Sequence, residues 1–268
     1  MDLGLAGRRV LVTGSSSGIG EGIARLLTGE GADVVVHGRN RERAEKVARE
    51  IGAVGVALGS LSTDEGAASV HEQAVAALGG HIEILVNNAG GSDTDSTARP
   101  PLGISIDEWL ANYQGNTLSS VRMVLHAVPA MVEAKWGRVI QISSAVALQP
   151  NSMGSDYSGA KAALNNFTVS LAGSLHGSGV TVNTVTPGVI MMNSLLGWGR
   201  AQYGDPGMTV EEVTNRMAAD KIFELPPAGR LGTPDDIAVI VATLASPRSG
   251  FVTGSNYRVD GGQVRAVL

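Results

Sequence analysis

A hydroxyl, a phenol and an amine stand at fixed offsets within residues 144–161, SAVALQPNSMGSDYSGAK. Tyr157 follows Ser144 by thirteen residues, and Lys161 follows Tyr157 by four. Four residues are about one helical turn, so a helix over residues 157–171 places the phenol and the ammonium on one face. A neighbouring cation lowers a phenol's pKa, and moving it from about 10 to 7 requires roughly 4 kcal/mol. Such a phenol could protonate a carbonyl oxygen or deprotonate an alcohol.

Each of these residues also has an ordinary interpretation. A tyrosine four residues before a lysine is common on helix surfaces, and a serine pair after a strand is common in turns. The elements in the rest of the chain decide between the two interpretations.

A glycine-rich turn, TGSSSGIG at residues 13–20, lies between an apolar run and a helical pattern. Gly14 permits a tight turn, Gly18 lets the backbone approach a diphosphate, and Gly20 lets the helix pack closely on the strand. Phosphates would then lie at a helix N-terminus, where free N–H groups and the helix dipole favour anions. The turn predicts a nucleotide site.

The second apolar strand, residues 32–38, is followed by Arg39. In dinucleotide-binding folds this position meets the adenosine ribose, where a carboxylate bonds the 2′-hydroxyl and an arginine pairs with a 2′-phosphate. Arg39 therefore favours NADP(H) as the cofactor. Arg41 and Arg43 are interpreted as surface residues that add to the positive field.

Strands alternate with helical patterns along the whole chain, which predicts an α/β fold. We expect one domain over residues 1–268, a Rossmann-type doubly wound parallel sheet of about seven strands with helices on both faces. The further predicted strands are residues 53–58, 82–90, 137–144, 180–190 and 255–262. The further predicted helices are residues 41–51, 63–78, 105–135 and 233–246.

Asn116 lies beside Gly115 inside the long helix predicted from Ser105. Asparagine and glycine are both unfavourable in a helix interior, so this break of a local rule indicates a functional position. The alternative is a buried asparagine that caps a kink. At the end of the fourth strand, Asn87 and Asn88 place amides at the sheet edge where ligands bind.

Residues 193–227 form the least regular long segment, an apolar insertion with one predicted helix beginning at Thr209. Its methionines, leucines, Trp198 and Tyr203 suit a lid over a substrate. The alternative is a loop packed permanently on the body.

Composition limits the classes of function. The chain has 268 residues, 43% of them hydrophobic, and a net charge of −5, so it can bury a large core but has no basic stripe for nucleic acid. It has no cysteine, and hence no disulfide or thiolate chemistry. The absence of a signal-like start and of long apolar runs leads us to expect a soluble, cytoplasmic protein without a membrane partner. No metal site is predicted.

The motifs together resemble the short-chain dehydrogenase/reductase superfamily along essentially the whole chain, including its 3-oxoacyl-carrier-protein reductase-like members. They stand in the family's order: TGSSSGIG at 13–20, NNAG at 87–90, Asn116, Ser144, YSGAK at 157–161, PG at 187–188, GRLGTPDDIA at 229–238 and VDGG at 259–262.

The resemblance implies a role for each matching residue. Tyr157 corresponds to the general acid/base, Lys161 to the residue that lowers its pKa and holds the nicotinamide ribose, and Ser144 to the donor that polarises the carbonyl. Asn116 corresponds to the residue that keeps a water in the proton relay. The positions that match cofactor contacts are Gly14, Ser16, Ser17, Gly18, Ile19, Gly20, Arg39, Asn88, Ala89, Gly90, Tyr157, Lys161, Pro187, Gly188 and Val189.

The chain departs from the family pattern at two positions. Ser60 stands where an aspartate usually meets the adenine, and Met192 stands where a threonine often follows the motif proline. The resemblance also implies a homodimer or homotetramer formed through the helices that carry Asn116 and Tyr157.

The leading hypothesis is an NADP(H)-dependent oxidoreductase acting on a small-molecule ketone or secondary alcohol, with Tyr157 as general acid. One alternative is a catalytically silent protein that senses NADP through the same fold. Another is a lyase or dehalogenase, which the glycine loop and Lys161 disfavour. The sequence leaves the substrate open among ring-bearing ketones, acyl chains and thioester-linked β-keto groups.

Overall fold

Seven parallel strands form one sheet in the computed structural model, which describes residues 2–91 and 95–266. Their order is β3-β2-β1-β4-β5-β6-β7, so the direction of winding reverses between β1 and β4. The predicted doubly wound α/β fold is confirmed. The strands are β1 Arg9–Val12, β2 Asp33–Gly38, β3 Gly55–Leu58, β4 Ile84–Asn87, β5 Gly137–Ile142, β6 Val180–Pro187 and β7 Asn256–Val259.

Helices cover both faces of this sheet. They are α1 Gly18–Gly29, α2 Arg41–Ile51, α3 Asp64–Leu78, α4 Ile106–Tyr113, α5 Ser119–Glu133, α6 Ser155–Ser174, α7 Asn193–Tyr203, α8 Val210–Ala219 and α9 Pro234–Ala245. Because successive strand residues face opposite sides, Val10 and Val12 pack with α1 and α9, whereas Leu11 packs with α3 and α5. Burial on both faces explains the continuous apolar strands.

Several helix starts follow the capping signals in the sequence. Ser105 and Thr209 form reciprocal capping boxes with the glutamates three residues later. Thr233 caps α9, which has Pro234 in its first turn. These local signals therefore act as predicted.

The long helix predicted from Ser105 is interrupted by one π-helical segment, Gln114–Leu118, between α4 and α5. Asn116 lies in this segment and is fully buried. π-Helical turns often mark functional sites, so the predicted break of a helix rule has a structural counterpart.

The prediction for residues 193–227 is wrong in one respect, because the segment contains two helices, α7 and α8. The pattern of α7 was missed because Gly197 and Gly199 weaken the helical signal. Gly199 is required by packing: a Cβ there would overlap Cγ1 of Val213 in α8. A separate apolar cluster joins this region to the body through Met191, Met208, Val213, Met217 and Leu231.

Among the described helices, none is both long enough and apolar enough to cross a membrane.

Candidate active site

The glycine-rich turn lies at the carboxyl end of β1, beside the end of β4. Gly14 has φ +64°, and a Cβ there would stand 2.8 Å from the Ala89 Cα. A Cβ on Gly20 would overlap the Asn88 side chain. Conformation and close approach together require glycine at these positions.

Thr13 and Asn88 fasten this turn to the end of β4. The Asn88 Nδ2 donates to the Thr13 and Gly14 carbonyls at 2.9 and 3.0 Å. The Thr13 Oγ1 accepts from the N–H groups of Asn88 and Ala89, each at 3.0 Å. The side chain of Asn88 therefore holds the turn in shape. Thr13, which was not among the predicted site residues, supports both the turn and the Asn88 backbone.

The residues around the turn fit a phosphate-bearing ligand. Ser17 is the N-cap of α1 but makes no side-chain capping bond, so the first N–H groups of the helix are available to an anion. A cavity beside them is lined by Gly14, Ser16, Ser17, Arg39, Ala89 and Gly90. It therefore holds six of the predicted cofactor residues.

His37 is a further residue of this cavity that the sequence argument missed. Its Nδ1 accepts from the Gly14 N–H at 2.9 Å, and its Nε2 donates to the Gly59 carbonyl at 3.2 Å. Burial, with a smaller contribution from Arg39, lowers the pKa of His37 to about 4. The imidazole is neutral at pH 7 and joins the glycine turn to the end of β3. The sequence did contain a signal for this residue, because a histidine within the apolar run VVVHG is unusual.

Arg43 and Ser60 also line the cavity. Arg43 is close to Arg39 in the sequence, and Ser60 follows the neighbouring strand β3. Arg43 is exposed, as predicted for a surface residue, and it also stands on the wall of this cavity. The reason is the Asn40 cap, which accepts from the Arg43 N–H and places the first turn of α2 over the cavity.

The phenol, the hydroxyl and the amine converge where the carboxyl end of β5 meets the N-terminal turns of α6. The Lys161 Nζ lies 5.8 Å from the centre of the Tyr157 ring and donates to the Ile142 carbonyl at 2.9 Å. The Ser144 side chain neighbours the Tyr157 phenol and acts to lower its pKa. The structure thus brings together three residues separated by up to seventeen positions in the sequence.

Burial controls the protonation of Tyr157 and Lys161. It raises the pKa of Tyr157, against a smaller lowering by the Ser144 side chain, and it lowers the pKa of Lys161 to about 8. The net effect within the protein alone is to raise the pKa of Tyr157, contrary to the expectation from the spacing. The Lys161 ammonium donates to the Ile142 carbonyl.

Gly90 lies between Asn116 and Lys161. A Cβ on Gly90 would stand 2.6 Å from the Asn116 Oδ1 and 3.2 Å from the Lys161 Nζ. The Asn116 amide forms two hydrogen bonds with the Gly91 backbone, each of 2.9 Å. The π-helical segment thereby holds the loop after β4 against the reactive cluster.

The remaining predicted residues lie outside the main cavity. Gly18 faces Met192 and lines a second cavity with it. Ile19 packs against the core. Pro187 ends β6, a Cβ on Gly188 would stand 2.8 Å from the Asp260 Cα, and the Val189 N–H donates to Gln263 at 3.2 Å.

These features define a dinucleotide-binding fold with a Ser, Tyr and Lys cluster at its switch point. A family model described as short chain dehydrogenase matches residues 8–196, and the chain belongs to this family of oxidoreductases, which use a nicotinamide cofactor.

Individual relatives cover the chain from end to end. It is 34% identical to the uncharacterized oxidoreductase YvaG of Bacillus subtilis (strain 168), covering 100% of both chains. It is 34% identical to the 3-oxoacyl-[acyl-carrier-protein] reductase FabG of Vibrio harveyi, covering 97% of this chain and 98% of the relative.

Two solved structures are similar over nearly the whole fold. L-Sorbose reductase from Gluconobacter frateurii, in complex with NADPH and L-sorbose, superposes with a TM-score of 0.89 at 29% identity and covers 100% of both chains. A 3-oxoacyl-(acyl-carrier-protein) reductase from Agrobacterium tumefaciens C58 with NADP bound gives 0.85 at 31% identity, covering 97% of this chain and 96% of that one.

Proposed function

We propose that the chain is an NADP(H)-dependent carbonyl reductase that interconverts a ketone and a secondary alcohol, with Tyr157 as the general acid. The observation that carries this proposal is the cluster of Ser144, Tyr157 and Lys161 beside Gly90, at the same sheet edge as the glycine turn. This arrangement combines a proton donor with a site for a dinucleotide, as a hydride transfer requires.

The cofactor, when bound, supplies or accepts the hydride. Ser144 donates a hydrogen bond to the substrate oxygen, and Tyr157 gives that oxygen its proton. Lys161, with a pKa of about 8, carries a positive charge at pH 7 and stabilises the phenolate left by proton transfer. Asn116 keeps the Gly90 and Gly91 backbone in place, and we assign it the further role of holding a water that reprotonates Lys161.

The preference for NADP(H) rests on Arg39 and Arg43. Both line the cavity with Ser16, and no acidic side chain lines it among the described residues. Two guanidinium groups favour a 2′-phosphate, since charge-assisted bonds to phosphate are strong. The two similar structures named above contain NADPH and NADP, which agrees with this preference.

The apolar cluster at residues 193–227 suggests the class of substrate. Met191, Leu195 and Leu196 belong to the apolar cluster of the 193–227 insertion, so we expect a substrate with an apolar or ring-bearing part. The similar proteins are named as reductases of L-sorbose and of 3-oxoacyl-[acyl-carrier-protein], so the test includes a sugar and a β-ketoacyl compound.

The experiment measures oxidation of NADPH, and separately of NADH, with a β-ketoacyl thioester, an aryl ketone, a cyclic ketone, an α-ketoester and L-sorbose. Turnover of one ketone with NADPH preferred is expected. Tyr157→Phe should lower kcat/KM by about 100-fold or more while the Kd of NADPH changes little, because the phenol acts only on the proton. Turnover within a few-fold of wild type would overturn the role of Tyr157.

The cofactor preference is tested separately. Arg39→Ala should weaken NADPH binding by about tenfold or more and leave NADH binding nearly unchanged, since only NADPH has the phosphate. Arg41→Ala is the matched control, because the Arg41 side chain is exposed and pairs with Glu45 one turn away. Equal losses for the two cofactors would contradict the pairing. NADPH binding without turnover of any carbonyl would favour the sensor alternative.

A further inference from the structure

A buried carboxylate lies directly before Tyr157. Asp156 has no exposed surface. Its Oδ2 accepts from the Asn112 Nδ2 at 2.5 Å, and its Oδ1 forms no hydrogen bond within the described residues. No ion pair within residues 2–91 and 95–266 includes Asp156. Burying a carboxylate without a cation is costly, so stability alone does not account for an acid at this position.

The carboxylate begins a chain of side-chain amides that ends at the cofactor loop. Asn112, in α4, directs its Nδ2 to Asp156 and its Oδ1 to the Asn116 Nδ2 at 3.3 Å. The Asn116 Nδ2 also donates to the Gly91 carbonyl, and its Oδ1 accepts from the Gly91 N–H. The chain thus joins the first turn of α6, helix α4, the π-helical segment and the loop after β4.

An ionised carboxylate can only accept hydrogen bonds, and this property sets the orientation of the Asn112 amide. The Asn116 amide is held in the same direction by the Asn112 backbone carbonyl, to which its Nδ2 donates at 3.0 Å. The carboxylate requires the amino group of Asn112 to face α6 and the carbonyl of Asn112 to face Asn116. A reversed Asn112 would place one carbonyl against the carboxylate and one amino group against another. Asp156 therefore supports the orientation in which Asn116 offers its oxygen to Gly91 and its nitrogen to Asn112.

We propose that Asp156 is a positioning residue: through Asn112 and Asn116 it holds the helix that carries Tyr157 in register with the Gly90 and Gly91 backbone. This inference rests on the proposed function for its effect on catalysis. The competing explanation is that Asp156 only stabilises helix α6. It lies in the first turn of α6, where the helix dipole favours an acid.

The first test is Asp156→Leu, which removes the acceptor and keeps the number and branching of the side-chain heavy atoms. Because a buried unpaired charge is also removed, Tm should stay unchanged or rise. The kcat should fall about tenfold, since a misplacement near 1 Å can cost far more than that, while the Kd of NADPH changes less than about twofold. A lower Tm with unchanged kcat would overturn the proposal in favour of the helix effect.

The second test exchanges the two groups. Asn112→Asp places two acceptor-only groups face to face and should lower kcat by about tenfold or more. Asn112→Asp combined with Asp156→Asn restores a donor between positions 156 and 112, and kcat should return to within about threefold of wild type. A double variant no more active than the single one would overturn the proposal. Asp107→Leu is the control, an exposed acid in the first turn of α4.

A readout that needs no substrate separates this inference from the proposed function. The Gly91 N–H is bonded to Asn116, so its hydrogen exchange reports the chain directly. We expect exchange about tenfold faster in Asp156→Leu and in Asn112→Asp, and nearly native exchange in the double variant. Native exchange in the single variants would overturn the inference even if the wild type reduces ketones. Faster exchange in a protein that reduces none would refute the proposed function alone.

Discussion

Single residues at the site are held in the protonation states that their surroundings permit. His37 and Lys161 are both buried bases whose charged forms are disfavoured by desolvation. His37 must stay neutral to accept from the Gly14 N–H, whereas Lys161 must carry a proton to stabilise a phenolate. Each requirement leads to a pH dependence of stability that can be measured without a substrate.

His37 makes the fold sensitive to acid. Its pKa is about 4 in the folded chain against 6.5 as its ordinary value, so below pH 6.5 the unfolded chain binds a proton that the folded chain does not. The free energy of unfolding should fall by up to about 3 kcal/mol between pH 6.5 and 4 because of this residue.

Urea unfolding at several pH values measures this effect. In His37→Gln, whose amide can still accept from Gly14, most of this decrease in the free energy of unfolding should be absent. In His176→Gln, which changes an exposed histidine, the decrease should be the same as in the wild type. Parallel pH profiles for His37→Gln and wild type would show that His37 does not control the acid response.

Lys161 affects stability in the alkaline range, whereas His37 affects it in the acid range. Because the pKa of Lys161 is about 8 in the folded chain against 10.5 as its ordinary value, the unfolded chain binds more protons between these limits. The free energy of unfolding should therefore rise with pH from 8 to 10.5 in the wild type. In Lys161→Met this rise should be absent, and the variant should be inactive. Equal slopes measured by chemical unfolding would contradict the burial of a titrating amine.

Elements, rather than residues, hold the insertion beside the glycine-rich turn. Helix α7 packs against α8 with Gly199 at the contact, and the Tyr203 hydroxyl donates to Asp220 at 2.9 Å. Met192, the N-cap residue of α7, approaches Gly18 of the glycine-rich turn, where a Cβ would stand 3.2 Å from the Met192 sulfur. We propose that α7 and α8 form the substrate lid.

Gly199→Ala tests the lid. The added Cβ overlaps Val213, so α7 must move away from α8, and the KM for the ketone should rise about tenfold with little change in the Kd of NADPH. Gly197→Ala is the matched control in the same helix, because a Cβ there meets nothing within 4 Å. It should stabilise the protein by up to about 1 kcal/mol. Equal KM values in the two variants would argue against a lid.

The whole molecule leaves large apolar side chains on the surface of its long helices. Leu125 of α5 is 68% exposed, and Val169 of α6 is 60% exposed. Exposed apolar groups of this kind mark association surfaces when they cluster. We propose that these helices form the interface of a homodimer or homotetramer.

Sedimentation measures the assembly directly. The wild type should sediment as a dimer or tetramer of the 27.5 kDa chain, and Leu125→Glu combined with Val169→Glu should shift it to a smaller species, because a buried unpaired carboxylate is costly. Val54→Glu changes a similarly apolar exposed residue before β3 and should leave the mass unchanged. A monomeric wild type would refute the interface.

The sequence by itself determined the order of elements and the chemistry available to them. Apolar strands alternating with helices predict a doubly wound sheet because only a parallel sheet buries such strands on both faces. Capping residues and glycines act over a few positions, so Ser105, Thr233 and Gly14 could be interpreted from local sequence. The offsets of Ser144, Tyr157 and Lys161 identified the reactive groups for the same reason.

The tertiary structure alone decided the environment of those groups. Burial depends on residues distant in sequence, so neither the raised pKa of Tyr157 nor the neutral state of His37 could be read from spacing. Helix α7 was hidden because its two glycines weaken the helical pattern, and only the contact with Val213 of α8 explains Gly199. The link from Asp156 through Asn112 and Asn116 to Gly91 joins α6, α4, the π-helical segment and the loop after β4. Hydrogen bonds between such distant parts of the sequence exist only once the fold has brought them together.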